Sequence, residues 1–105
     1  ETSDETKTSQ ERYRLSPVAF LDSLGFLGPG VLAAHGVWVS DAEVTLLAAR
    51  GVGISHNPES NMKLASGTAP VPAYVRADVA IGLGTEGAAS KNDHDMFEAM
   101  QVAYW

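Results

Sequence analysis

The chain has 105 residues, which is enough for one modest domain. Its 45% hydrophobic and 19% charged residues are typical of a folded globular protein rather than a disordered one. The formal net charge of −6, with seven Lys and Arg residues that form no basic run, argues against a nucleic-acid-binding surface. The chain has no cysteine, which excludes a disulfide scaffold and a thiolate metal site and fits a cytoplasmic protein. No apolar stretch approaches the roughly 20 residues of a membrane span, so we expect no membrane-embedded segment.

The N-terminal stretch ETSDETKTSQERYR is polar and charged, and it has no initiator Met. Residues 2–13 are expected to form a solvated helix or a frayed tail. Because the chain opens as if partway through a helix, we expect it to be part of a longer protein.

Helices and short apolar runs alternate along the rest of the chain. Ser16 and Pro17 supply an N-cap and a first-turn proline for a helix that closes by residue 28. Ser40 and Glu43 have the spacing of a capping box, and they open a helix that Gly51 ends. The remaining predicted elements are strands over 30–39, 52–55 and 78–84, two helical turns over 70–77, and a final helix that begins near Asn92 or Asp93.

The order of elements predicts a parallel sheet. Strands separated by helices do not pair as hairpins, so they run parallel with right-handed crossovers. Continuous apolar runs also favour strands that are buried on both faces. The fold class is therefore α/β. Three strands are too few to close a barrel, and an isolated copy would expose one face of its sheet, so we expect part of a larger barrel.

Polar side chains follow each of the predicted strands. His35 ends the first strand in LAAH, His56 ends the second in GISH, and Glu86 lies just past the third in GLGTE. Because the carboxyl ends of parallel strands meet at one edge of the sheet, these three side chains are expected to converge there. The polar segment SHNPESNMKLASG, residues 55–67, is then a loop at that edge that faces a ligand.

Each of these residues also has a structural interpretation. A single histidine at a strand end is more often a structural residue than a ligand, whereas Glu86 near Gly84 and Gly87 is harder to explain in that way. GLGTEG resembles a phosphate-binding glycine loop only superficially, because the third glycine of the dinucleotide fingerprint is misplaced. The helical spacing in the final helix predicts core positions for four apolar residues, Met96, Phe97, Met100 and Tyr104.

Three segments carry a resemblance to a known family: LAAHGVWVSDAE, SHNPESNMKLASG and GLGTEGAASKNDHDMFEAM. They resemble the C-terminal half of the barrel in the metal-dependent amidohydrolase superfamily, in particular its 5-methylthioadenosine/S-adenosylhomocysteine deaminase and chlorohydrolase group. The resemblance runs through nearly the whole chain. It implies that residues 1–105 are a partial (β/α)8 TIM-barrel domain, that the three strands are strands six to eight, and that an upstream part carries the His-x-His pair of the first strand.

The resemblance also implies catalytic roles. Glu1 and Thr2 match the end of the family motif His-x-x-Glu-Thr, in which the histidine binds metal and the glutamate protonates the substrate ring. His35 matches the sixth-strand histidine that helps to polarise the attacking water and stabilise the tetrahedral intermediate. Glu86 falls where the eighth-strand aspartate binds the metal and shuttles a proton. The cofactor implied is a divalent metal, with zinc as the expected ion.

Substrate contacts are implied for Glu1, Glu86 and a set of polar residues in the seventh-strand segment. That set is His56, Asn57, Ser60 and Asn61, while Ser90 occupies a motif position that shapes the pocket. The family pattern at the eighth strand is Gly-Thr-Asp-Gly, and glutamate adds one methylene, about 1.5 Å of reach. Three explanations stay open: a shifted loop that accepts the longer side chain, a reduced activity, or an artefact in the sequence.

The activity that the resemblance implies is hydrolytic deamination of an aminopurine nucleoside by metal-activated water. The first alternative keeps the superfamily and changes the substrate: an s-triazine chlorohydrolase or aminohydrolase, or another purine deaminase. The second alternative is a non-catalytic truncated half-barrel. The expected partner is a small-molecule substrate, with no nucleic acid or membrane, and the full-length protein is expected to form a homo-oligomer. Because this chain lacks most of the family's metal ligands, we expect no turnover by these 105 residues alone.

Overall fold

The computed structural model describes residues 1–91 and 93–104. The side chain of Ser90 and the predicted helix start at Asn92 lie outside the described part. The elements in chain order are α1 (Ser3–Tyr13), α2 (Pro17–Ser23), β1 (Leu32–Ala34), α3 (Asp41–Arg50), β2 (Gly53–His56), α4 (Pro58–Lys63), α5 (Val71–Arg76), β3 (Ile81–Leu83), α6 (Ala88–Lys91) and α7 (Met96–Tyr104). Within the described ranges, no helix combines the length and the apolar character that crossing a membrane requires.

The three strands form one parallel sheet in the order β1–β2–β3. Ala34 pairs with Ser55, and His56 pairs with Leu83, so the carboxyl ends of all three strands lie at the same edge. The predicted α/β fold with parallel strands is confirmed. The numbering of the strands as six to eight of a barrel stays a prediction.

The helix caps that the sequence predicts at Ser16, Ser40 and Gly51 are present in the structure. The Ser40 side chain accepts from the backbone of Glu43 while the Glu43 side chain accepts from the backbone of Ser40, and Gly51 ends α3 with a φ of 69°. Ser16 caps α2 ahead of Pro17. Residues 3–13 form a regular helix with its own capping box rather than a frayed tail.

The hydrophobic core lies between one face of the sheet and the helices. It is formed by Val44, Leu47, Val52, Ile54, Tyr74 and Val79. The other face is open, with Leu32 in β1 71% exposed. The strands are therefore buried on one face only in this chain, because its helices cover one side of the sheet. This agrees with the expectation that an isolated part of a barrel exposes the other face.

The first strand is shorter than the predicted range 30–39. It ends at Ala34 because His35 and Gly36 both adopt left-handed backbone conformations, with φ values of 68° and 55°. The hydroxyl of Tyr74 donates to the carbonyl of Gly36 at 2.7 Å and holds this turn against α5. Burial raises the pKa of Tyr74 to about 12, so this hydroxyl keeps its proton.

Helix α7 packs against α4 and β3, and Ala99 is its buried residue. The prediction that its larger apolar side chains form core is wrong for this chain, because each of them is exposed. Their exposed fractions are 38% for Met96, 79% for Phe97, 48% for Met100 and 87% for Tyr104.

Gly84 is required where the chain leaves β3. A Cβ atom at this position would lie 2.5 Å from Ser55 Oγ and 2.6 Å from the side-chain amide of Asn57, whereas a Cβ at Gly82 would meet nothing within 4 Å. We expect Gly84→Ala to lower the free energy of unfolding by about 1–3 kcal/mol, and Gly82→Ala to change it by less than about 0.5 kcal/mol. Urea denaturation of both variants measures the difference, and equal effects would contradict the proposed crowding.

Candidate active site

Three ionisable side chains meet at the carboxyl edge of the sheet. His35 follows β1 directly, and Glu86 lies in the loop after β3. The imidazole Nε2 of His35 is 2.8 Å from Glu86 Oε1 and 3.4 Å from Glu1 Oε2. The chain therefore brings together Glu1, His35 and Glu86, the three residues for which catalytic roles were predicted.

The His35 ring is held at both nitrogens. Its Nδ1 donates to the amide oxygen of Asn61 at 2.8 Å, and its Nε2 faces the two carboxylates. Amide and carboxylate oxygens are acceptors, so each ring nitrogen of His35 faces a hydrogen-bond acceptor. His35 is buried, whereas the side chains of Glu1 and Glu86 are 21% and 30% exposed. The two carboxylates therefore flank His35 Nε2 at a position that solvent reaches.

Two of these residues have strained backbones. His35 has a φ of 68° and Glu86 a φ of 63°, values that residues with a Cβ rarely adopt. Such strain costs about 1–3 kcal/mol and concentrates at functional sites, where the surrounding structure enforces it. At Glu86 the left-handed backbone carries the side chain to both His35 and Ser60.

Helix α4 supplies polar partners for this cluster. Ser60 Oγ donates to Glu86 Oε2 at 2.8 Å, and Asn61 holds His35 as described above. Both residues are buried, at 1% and 2% exposure. Because a buried polar side chain without a partner is costly, these two hydrogen bonds fix the positions of the groups that they contact.

Asn57 and His56 lie at the same edge but on different faces of β2. Asn57 points to the face of Ser55, and its side-chain amide lies 2.8 Å from Ser55 Oγ. Alternation along the strand places His56 on the face of the core residue Ile54. There it lines a cavity of about 510 Å³ together with Asn61, Val71 and Tyr104. His56 and Asn57 thus lie beside the cluster and take no part in the hydrogen bonds between Glu1, His35 and Glu86.

The ring of His56 should make stability depend on pH. Burial holds its pKa below the ordinary value of 6.5, so the unfolded chain binds this proton first as the pH falls. We expect the free energy of unfolding to be unaffected by this group above pH 6.5 and to decrease below it. His56→Gln should lessen the difference in stability between about pH 7.5 and pH 5.5, as the linkage relation requires. The exposed His94→Gln is the matched control, and an identical pH profile in His56→Gln and the parent would contradict the prediction.

Ser66 is a site residue that the sequence did not single out. Its hydroxyl donates to Glu1 Oε1 at 2.6 Å, and only 5% of the residue is exposed. It belongs to the segment SHNPESNMKLASG, so its presence in a polar loop was visible, but a lone serine gives no sign of which side chain it will contact.

The described residues can contribute to a metal site but do not complete one. Among residues 1–91 and 93–104, no three His, Asp or Glu side chains are arranged to hold a metal ion. Glu86 offers a partly exposed carboxylate, an oxygen ligand of the kind that zinc accepts. The described residues therefore offer a carboxylate that a metal could use, and they form no complete metal site.

Comparisons with known proteins agree with this geometry. The model of the Amidohydrolase family matches residues 1–104. The chain is 52% identical over 103 residues to a 5-methylthioadenosine/S-adenosylhomocysteine deaminase from Thermococcus sibiricus and to a 5'-deoxyadenosine deaminase from Methanosarcina mazei. In both cases the match covers 98% of this chain and 24% of the relative, so the chain spans about a quarter of their length.

Solved structures give the same result. An adenosine deaminase from Xanthomonas campestris with bound zinc superposes with a TM-score of 0.95 at 45% identity, covering 98% of this chain and 24% of that one. An atrazine chlorohydrolase from Arthrobacter aurescens in complex with zinc superposes with a TM-score of 0.81 at 29% identity, covering 90% and 20%. The parallel sheet, the cluster at its carboxyl edge and the family match over residues 1–104 together show that this chain belongs to the amidohydrolase family.

Proposed function

We propose that this chain is part of a metal-dependent hydrolase that deaminates an aminopurine nucleoside such as 5-methylthioadenosine, S-adenosylhomocysteine or 5'-deoxyadenosine. The observation that carries the proposal is the His35 imidazole between the carboxylates of Glu1 and Glu86 at a solvent-accessible edge. The names of the relatives at 52% identity support this substrate class.

The three residues can divide the work of the reaction. Glu1, as a general acid, donates a proton to the ring nitrogen next to the carbon that carries the amino group, which makes that carbon more electrophilic. Glu86 takes one proton from the attacking water and passes it to the amino group, so that the C–N bond breaks and ammonia leaves. The second proton of that water leaves the new hydroxyl as the carbonyl forms and returns to the Glu1 carboxylate. His35 stabilises the negative charge that develops on the attacking oxygen, because its Nε2 faces the space between the two carboxylates.

The metal enters this proposal in a limited way. A divalent ion, with zinc as the expected metal, would make water a stronger nucleophile at this edge. Glu86 is the residue of this chain that would hold it, and the rest of the full-length protein would supply the other ligands. Since the chain provides one ligand, we expect no turnover when it is produced alone.

The polar residues around β2 and α4 are proposed to border the substrate. Ser60 and Asn61 would do so while they hold Glu86 and His35, since their side chains form hydrogen bonds with those groups. Asn57 would face the barrel side of β2, and His56 would act from the adjoining cavity that it lines. A cytoplasmic location and a homo-oligomeric full-length enzyme complete the proposal.

A second candidate is hydrolysis of an s-triazine. The similarity in fold to a chlorohydrolase with a TM-score of 0.81 favours it, but the identity of 29% is well below the 52% found for the deaminases. A non-catalytic half-barrel is the third candidate. The strained backbones and shared hydrogen bonds of His35 and Glu86 disfavour it. Backbone strain costs free energy, so a site that had lost its catalytic function would not be expected to retain it.

The test is an assay of the full-length protein that contains this chain. Purified, zinc-loaded protein is incubated with the three nucleosides named above and with atrazine, and ammonia and chloride release are measured. We expect ammonia from at least one nucleoside, no chloride from atrazine, and loss of activity on chelation that added zinc restores. Chloride release alone would favour the triazine candidate, and no release from any of the four compounds would contradict both enzymatic candidates.

A further inference from the structure

Helix α4 and the turn that follows it hold all three ionisable residues of the cluster. Ser60 donates to Glu86, Asn61 accepts from His35, and Ser66 donates to Glu1. Ten consecutive residues, 58–67, thus supply one hydrogen bond to each group. Of the three supporting residues, Ser66 lies outside the helix, so its position depends on how the chain turns after α4.

The turn after α4 places the backbone of Ser66 through a Schellman motif. The amide of Ser66 donates to the carbonyl of Asn61 at 2.9 Å, and the amide of Ala65 donates to the carbonyl of Met62 at 3.2 Å. Ala65 takes the left-handed position of this motif with a φ of 51°. The two hydrogen bonds attach Ser66 to the same helix that holds His35 and Glu86.

The loop after β1 fixes Ser66 from the other side. The indole Nε1 of Trp38 donates to the Ser66 carbonyl at 2.8 Å. Gly67 has a φ of 113°, and a Cβ there would lie 2.9 Å from Val37 Cγ1, so the two loops approach closely only because this residue is glycine. With its amide and carbonyl both bound, Ser66 has its hydroxyl left for Glu1, to which it donates at 2.6 Å.

We infer that Ser66 is a positioning residue for the general acid, an inference that rests on the function proposed above. Because the Ser66 hydroxyl occupies Glu1 Oε1, the proton that Glu1 transfers is carried on Oε2, the oxygen that lies 3.4 Å from His35 Nε2. Ser66 thereby selects the carboxyl oxygen that delivers the proton and fixes its direction. It acts through Glu1, so its loss should slow the chemical step and leave substrate binding nearly unchanged.

The first test compares Ser66→Ala and Ser66→Thr in the full-length enzyme with 5-methylthioadenosine as substrate. Misplacement of a reacting group by about 1 Å can cost about 100-fold, so we expect Ser66→Ala to lower kcat by about 10- to 100-fold. KM should stay within about threefold, because the positioning of Glu1 by Ser66 matters in the transition state and not for binding of the substrate. Ser66→Thr, which keeps a hydroxyl, should recover most of the loss. Ser23→Ala is the control, since that hydroxyl donates to the Phe20 carbonyl at an exposed site on α2.

A double-mutant cycle separates positioning from a general structural effect. In a Glu1→Ala background, Ser66→Ala should cause no further loss of kcat, because the residue through which it acts is gone. An equal loss of kcat in the two backgrounds would overturn the inference, as would an unchanged kcat in the single Ser66→Ala variant. A rise in KM with kcat unchanged would also overturn it.

The inference can fail independently of the proposed function. If the unmodified protein releases no ammonia, the proposed function fails, and the same four proteins are compared by thermal unfolding. A midpoint shift in the double variant that is smaller than the sum of the two single shifts would support the contact between Ser66 and Glu1. Additive shifts would show that the contact is absent.

Discussion

Replacing Glu1 by glutamine in the full-length protein is expected to lower kcat by about 10²- to 10⁴-fold, the range that a positioned general acid contributes. Glutamine keeps an oxygen that can accept from the Ser66 hydroxyl, so the side chain should remain in place. It carries no transferable proton, and the ring nitrogen of the substrate would then go unprotonated in the transition state. Steady-state assays of ammonia release over a range of nucleoside concentrations measure kcat and KM separately.

The metal content and the KM of this variant distinguish the proposed role from others. Zinc per protomer should be unchanged, and KM should stay within about threefold of the parent. Glu11→Gln, at an exposed position on the helix α1 that follows Glu1, is the matched control and should retain full activity. If Glu1→Gln keeps kcat within about twofold, a general acid is not located at this position.

Removal of the Glu86 carboxylate should have the largest effect. We expect Glu86→Ala to lower kcat by about 10³-fold or more, because it removes both a proposed metal ligand and the proposed proton carrier. The buried Ser60 hydroxyl would also lose its acceptor, which leaves a buried donor unsatisfied. The zinc content, measured by elemental analysis after gel filtration, should fall together with the activity.

The variant Glu86→Asp provides the comparison for this experiment. It keeps the carboxylate but shortens the side chain by about 1.5 Å, and it introduces the residue of the family pattern Gly-Thr-Asp-Gly. We expect it to keep zinc and to retain activity within about tenfold of the parent, or to exceed it. Full zinc occupancy and unchanged kcat in Glu86→Ala would contradict both proposed roles of Glu86, as a metal ligand and as a proton carrier.

Much of the local structure was readable from particular residues. The Ser40 and Glu43 spacing predicted the start of α3, and Gly51 predicted its end, because helix termini depend on hydrogen bonds within a few residues. Apolar runs separated by helices predicted a parallel sheet. That topology in turn predicted that His35 and Glu86 meet, since they follow strands whose carboxyl ends share one edge.

Other features were decided by contacts between distant parts of the chain. The 30–39 run was predicted as one strand, yet β1 stops at Ala34 because Tyr74, 38 residues beyond Gly36, holds the turn. The apolar stripe of α7 has the spacing of a core helix, but only Ala99 is buried. Periodicity shows that a helix has an apolar face, but it does not show what part of the protein, if any, packs against that face.

The sequence by itself determined the fold class, the helix caps and the identity of the ionisable groups at the strand ends, because each depends on local hydrogen bonding or on the order of the elements. Only the tertiary structure decided that His56 faces the cavity beside α5 while His35 faces the two carboxylates, and that Ser66 contacts Glu1 across 65 positions of the chain. The physical reason is that a side chain's partner across the fold depends on backbone direction. Left-handed turns such as those at His35, Ala65 and Glu86 set that direction, and they are held by residues far away in the chain.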